Sequence, residues 1–113
     1  MAIFYKNQGY DLTTSNLTTV LNINTSSVAI IKEISVANDD NSAKIVDYFF
    51  YDASASVSYK FYHTNVPANS HDNAVHNALV LEEGDYLQFQ AAAANVISGQ
   101  ISYALLTRAG ENG

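Results

Sequence analysis

Leu79-Val-Leu-Glu-Glu-Gly-Asp-Tyr-Leu-Gln-Phe89 is the stretch on which the reading of this chain turns. Three apolar residues run into Glu82 and Glu83, an acidic pair that water keeps ionised in a turn. Gly84 lacks a Cβ and can take a positive φ, and the short Asp85 carboxylate can bond nearby amides. Tyr86-Leu-Gln-Phe-Gln-Ala91 then leaves as an alternating strand. The stretch reads as a hairpin or sharp corner between two strands. Gly84 and Asp85 are therefore structural turn residues and not catalytic ones.

The same grammar continues outward in both directions. Val, Ile, Thr, Tyr and Phe recur, while helical blocks of Ala, Leu, Glu and Lys are missing. Upstream, Leu17 to Ile23 alternates with Leu17, Thr19, Leu21 and Ile23 on one face. Val28 to Ala37 is the strongest strand, with Val28, Ile30, Ile34 and Val36 in one parity and Lys32 interrupting them. That interruption predicts either a bulge near Ile30 and Ile31 or a sheet edge at Lys32. Asn38-Asp-Asp-Asn-Ser42 is a turn, and Val57 to His63 alternates again. Thr64 to Asn73, with the sole proline at Pro67, reads as the longest loop. Downstream, Ala91 to Ala94 is too short to hold a helix and reads as a strand end or single turn. Ile97 to Thr107 closes the chain, with Ile97, Ile101, Tyr103 and Leu105 on one face.

About eight short strands with turn signals about every 8–12 residues predict an all-β fold: a single-domain antiparallel β-sandwich, jelly-roll-like. Residues 1–9 are expected to form an N-terminal arm or edge strand, 10–108 the sandwich and 109–113 a C-terminal tail. A chain of 113 residues can bury one modest core.

Composition bounds the partners. Of the residues, 48% are hydrophobic but only 14% charged, against about a quarter in ordinary soluble domains. A surface of Ser, Thr, Asn and Gln is cheaper to bury against neighbours than a charged one. Five basic against eleven acidic residues give a net charge of −6, and the basic ones are scattered. Direct nucleic-acid binding, which needs a concentrated basic face, is not expected, nor is binding to an anionic membrane. No signal-peptide pattern or membrane-spanning apolar run is visible. With no cysteine, thiolate chemistry is excluded, and synthesis in a cytoplasm is expected.

A search for catalytic groups yields little. The glycines are isolated, so no phosphate loop is formed, and no serine sits in a nucleophile-elbow context. His63, His71 and His76 could meet only if the intervening loop folded back, and solvated loop histidines are the better reading. Asp39-Asp40 and Glu82-Glu83 lie in turns. The chain is read as a non-enzyme, with no catalytic, metal-binding or cofactor-binding residue.

The aromatic residues carry more. Tyr48 and Phe50 fall on one face of Ala43 to Asp52, and Phe49 and Tyr51 on the other. A strand apolar on both faces is either central in a sandwich or covered by a partner chain, so Tyr48, Phe49, Phe50 and Tyr51 are candidate interface residues. Tyrosine gives a large contact area with a polar tip, which suits subunit interfaces and carbohydrate stacking alike. Ile3, Phe4 and Tyr5 are the candidate anchor at the N-terminus.

Leu81-Glu-Glu-Gly-Asp-Tyr-Leu87, followed by Phe89-Gln-Ala-Ala-Ala-Ala94 and Ile101-Ser-Tyr103, resembles a phrase of small β-sandwich accessory proteins of tailed-bacteriophage virions. Ser27 to Asp39 and Pro67-Ala-Asn-Ser70 resemble the same family, and the likeness covers most of residues 10 to 107. The corner also occurs in trimeric jelly rolls similar to complement-type and tumour-necrosis-type domains, which remain the fold alternative. The resemblance implies a virion structural protein, foremost a capsid decoration or cement protein, made in the host cytoplasm and carried in the virion. Its implied partners are other virion proteins, the major capsid protein first, and further copies of itself, with a trimer favoured. A neck or tail accessory role and a carbohydrate-binding β-sandwich module are the alternatives.

Overall fold

The structure, a computed structural model, describes residues 2–75 and 78–107. Expectations placed on His76 and on residues 109–113 lie outside the described residues. Among those described, nine strands follow one another: β1 (Ala2–Leu12), β2 (Thr18–Asn22), β3 (Ser27–Asn38), β4 (Lys44–Asp52), β5 (Val57–Val66), β6 (His71–Asn73), β7 (Leu79–Leu81), β8 (Tyr86–Ala91) and β9 (Ile97–Thr107).

They form two antiparallel sheets. The first runs β1-β9-β3-β6, with β7 also on β3; the second runs β2-β8-β4-β5. Only the β4–β5 hairpin and the β6–β7 link stay within one sheet; the other connections cross from sheet to sheet. A two-sheet sandwich wound in this way is a jelly roll. Its eighth position is split: β6 pairs with Ser35 to Ala37 and β7 with Ala29 to Ile31, end to end along β3. Nine strands thus fill eight places.

The split lies beside a bulge. Pairing of β3 with β9 shifts register between Ile31 and Glu33, leaving Lys32 as the extra residue. One extra residue reverses the side-chain parity of a strand. Ala29 and Ile31 are buried before the bulge, and Ile34 and Val36 after it. Val28 and Ile30, expected on the face of Ile34 and Val36, therefore point the other way. Lys32 sits at a bulge in a central strand, not at a sheet edge. A similar shift between Thr19 and Leu21 turns Thr19 away from the face that Leu21 and Ile23 bury.

The expected long loop is shorter than its sequence suggests. Strand β5 continues through Val66, and β6 takes His71 to Asn73. No apolar alternation marks β6; backbone pairing and the Asp72 carboxylate hold it. That carboxylate accepts from Thr64 Oγ1 at 2.6 Å and Tyr62 Oη at 3.4 Å, tying β6 to the opposite sheet. The buried Asn38 amide closes the same end, donating to the carbonyls of Ser42 and Val66 at 3.0 and 3.1 Å.

The core lies between the sheets. Leu12, Ile31, Ile34, Ile97 and Ile101 enter from the first, and Val46, Tyr48, Leu87 and Phe89 from the second, all fully buried. Each such large side chain is worth about 1.5–3 kcal/mol of transfer free energy. Tyr48 and Tyr10 both set their rings against Phe89, with centroids 4.8 and 5.1 Å away and near-perpendicular planes. Tyr10 Oη donates to the Ser35 carbonyl at 2.6 Å, reaching it across β9 at Gly99. A Cβ on Gly99 would stand 2.0 Å from that same carbonyl oxygen, so the close approach requires glycine.

Candidate interaction surfaces

Two surface regions could meet a partner, one exposed and the other built on half-buried aromatic side chains. Strand β1 is an edge: it pairs with β9 without a register break from Ala2↔Thr107 to Leu12↔Ile97, and among the described residues no strand pairs with its other side. Its N-terminal half is exposed on both faces, because the second sheet does not reach over it. Ile3, Phe4 and Tyr5 are 56%, 48% and 84% exposed, and only Tyr10 and Leu12 dip into the core. Successive side chains alternate, so Ile3 and Tyr5 share one face and Phe4 and Lys6 the other. The strand carries no proline and no bulge; of the devices that blunt an edge, its exposed half has only the charge of Lys6.

The second region is the outer face of the second sheet. Here the four candidates in β4 separate. Tyr48 is fully buried in the core, and Phe50 is partly buried, packed on the core. Phe49 and Tyr51 point outward. Tyr51 stacks on Tyr86 of β8, with centroids 4.6 Å apart and planes at 11°. Lys60 of β5 lies over the Phe49 ring, 5.6 Å from its centroid. Asp47, in the same outward row, pairs with Lys60 at 3.5 Å and hydrogen-bonds His63. Tyr86, Gln88 and Gln90 complete this face, and sequence reasoning did not single out these three as a surface. The alternation of Tyr86 to Ala91 carried the signal, but which strand lies beside β8 could not be read from it.

The corner residues form a clasp. Gly84 has φ +83°. The buried Asp85 carboxylate accepts from the amides of Glu82 at 2.8 Å and Ala53 at 2.9 Å, pinning the β4–β5 turn to the β7–β8 corner. Asp52, Glu82 and Asp85 bring carboxylate oxygens within 4.8 Å of one another, and both oxygens of Asp85 are occupied by these amides. His71 is exposed on β6 in the first sheet, while His63 is on β5 in the second.

Burial sets the ionisation of the core tyrosines. Removal from water pushes the hydroxyls of Tyr10 and Tyr48 well above the ordinary tyrosine range. At Tyr48 the nearby Tyr10, Asp72, Tyr62 and Asp47 push the same way. Both stay neutral at any physiological pH, and Tyr10 donates its proton to the Ser35 carbonyl. Asp40, half-buried, is held below the usual carboxylate range, first by its hydrogen bond from Lys44, 2.8 Å away.

No family model matches the chain, and no curated protein matches it in sequence. Its fold is shared with many solved structures. A chain from the acid-stable capsid of Helicobacter pylori bacteriophage KHP30 aligns over 93% of this chain and 87% of its own length, at 10% identity and TM-score 0.57. A chain of the disulfide-linked pili of Bacillus endospore appendages covers 91% of this chain and 85% of its own, at 11% identity and TM-score 0.51. A protein of infectious bursal disease virus, Gx strain, aligns over 96% of this chain but only 33% of its own length, at 11% identity and TM-score 0.57. At such identities the likeness is one of fold: two viral particles and a pilus use the same jelly roll.

Proposed function

We propose that this chain is a non-enzymatic structural protein of a virion that decorates a tailed-phage capsid, docking through the free edge of β1. The observation that carries the reading is that edge: eleven residues of unbroken strand whose first half exposes Ile3, Phe4 and Tyr5. An unpaired row of backbone N–H and C=O groups flanked by apolar side chains is a template for another chain. The fold shared with chains of phage KHP30 and infectious bursal disease virus supports the same reading. So does a surface rich in uncharged polar groups. The partners are the major capsid protein and further copies of this chain, arranged as a trimer. Repetition over a symmetric shell multiplies a modest contact at each site.

Deleting residues 1–7 tests the proposal. The remaining chain keeps Tyr10, Leu12 and the whole core, so it is expected to fold, while decoration of purified particles is lost. Mass spectrometry of particles supplies the second readout, the copy number relative to the major capsid protein. A ratio near one or a simple fraction of it fits decoration. A few per cent would move the protein to the neck or tail. Its absence from particles, or full decoration by the truncated chain, would overturn the reading.

A further inference from the structure

We propose that the outer face of the β2-β8-β4-β5 sheet is a platform for a neutral carbohydrate chain. The inference is independent of the capsid reading and rests on what pairing brings together. Register sets three rows across the strands. Lys60, Phe49, Gln88 and Thr19 form the middle row. Ser58, Tyr51, Tyr86 and Asn22 form the row on one side, and His63, Asp47 and Gln90 the row on the other. Beyond the last row the surface dips into a depression of about 360 Å³ lined by Ser15, Ile45, Asp47, Gln90, Ala91 and Ala92.

Flat rings alternate here with amides and hydroxyls, and the three rows contain no aliphatic side chain. A sugar ring presents a face of C–H bonds that packs on the electron-rich face of an aromatic ring, and a rim of hydroxyls that needs donors and acceptors. The Tyr51–Tyr86 pair supplies the first through the faces its rings do not turn to each other; the Phe49 ring beside it is already covered by Lys60. Gln88 and Gln90 supply the second: each gives one N–H within the fold, to Thr19 Oγ1 at 3.3 Å and the Ser15 carbonyl at 3.2 Å. A primary amide has two donors and an acceptor, so capacity for a hydroxyl remains on both.

Charge selects the class of ligand. The chain as a whole carries −6, yet in these rows the Asp47 carboxylate is offset by Lys60 at 3.5 Å and hydrogen-bonded by His63. The face is close to neutral. An acidic polymer would have to take Lys60 from Asp47, and a basic peptide would meet one carboxylate already paired. A neutral polyhydroxylated chain disturbs neither group, and the depression beside Gln90 gives it a place to end or turn.

Affinity electrophoresis of the whole chain in gels cast with dextran, hydroxyethyl cellulose or glucomannan, backed by an array of neutral oligosaccharides, tests this. Retardation by at least one neutral glycan is expected. Tyr51→Ala and Tyr86→Ala should weaken it by about tenfold or more, since each removes a stacking surface. Gln88→Ala, which leaves the rings in place, should weaken it by a smaller factor, and circular dichroism confirms that each variant is folded. Ile3→Asp should leave retardation unchanged, which separates this site from the β1 edge. No retention on any neutral glycan, retention on anionic glycans alone, or retention indifferent to both tyrosines overturns the proposal. So does a change of oligomeric state in the tyrosine variants without glycan binding, which would make this face a subunit contact instead.

Discussion

The two halves of β1 pair with the same strand in the same unbroken register, yet they live in different surroundings. Residues 10–12 lie under the second sheet: Leu12 is fully buried and Tyr10 reaches across Gly99 to the Ser35 carbonyl. Residues 3–7 have no sheet above them and are exposed on both faces. Both halves are rich in apolar and aromatic side chains, so residue type does not distinguish them. What does is where the second sheet ends. The lesson is that backbone pairing fixes a strand's direction while cover alone decides whether its side chains stabilise the fold or wait for a partner.

The largest expected effect comes from the anchored half. Gly99→Ala places a methyl group 2.0 Å from the Ser35 carbonyl oxygen and 2.7 Å from Tyr10 Oη. Neither is the loose end of a flexible chain, so β9 and β3 must move apart at the centre of the first sheet. A loss of about 3 kcal/mol or more in urea unfolding is expected, or failure to fold. A variant as stable as the parent would mean that Tyr10 and Ser35 do not approach in this way, and the contrast between the halves would fail at its base.

A smaller effect sharpens the comparison within the core. Tyr10→Phe removes the bond to the Ser35 carbonyl, a loss of about 1 kcal/mol. Tyr48→Phe should cost nothing or stabilise slightly, because the buried Tyr48 hydroxyl finds no hydrogen-bond partner among the described residues. The pH dependence follows from the raised pKa of both groups, caused first by burial. The unfolded chain ionises its tyrosines near pH 10, while the folded chain keeps these two neutral, so their contribution is full below about pH 10 and lost as pH rises further. Stability should therefore fall above about pH 10, less steeply in either phenylalanine variant; equal slopes in all three chains would remove the assignment.

Sequence reading reached the sandwich because alternation survives in most strands, and because Gly84 and Asp85 mark a corner whose chemistry is local. At Lys32 the broken alternation left a bulge or a sheet edge open; the structure has the bulge, and it reverses the faces of Val28 and Ile30. An extra residue near Val20 does the same to Thr19, and there no break in the alternation marks it. Strand β6 was illegible for another reason: His71, Asp72 and Asn73 carry no apolar signal, and the ladder with β3 makes the strand. The outer aromatic face was half visible. Phe49 and Tyr51 share a parity in one segment, but that Tyr86 stacks on Tyr51 depends on β8 lying beside β4, a fact of topology and not of local pattern.

Substitution in the exposed half of β1 is expected to change stability little, and it is the most informative about function. Ile3→Asp with Phe4→Asp puts carboxylates on both faces of a strand whose side chains already meet water. Neither side chain belongs to the core and the pairing with β9 stays, so unfolding free energy should change by no more than about 0.5 kcal/mol. A charged edge, however, resists strand addition, since a docking chain would have to desolvate both carboxylates. Concentration-dependent association, followed by analytical ultracentrifugation, should shift toward the monomer while the thermal midpoint stays put. A large drop in the midpoint would mean that the free half is packed within its own domain after all. Unaltered association with unaltered stability would leave the edge free but unused, and would pass the search for a docking site to the outer face of the second sheet.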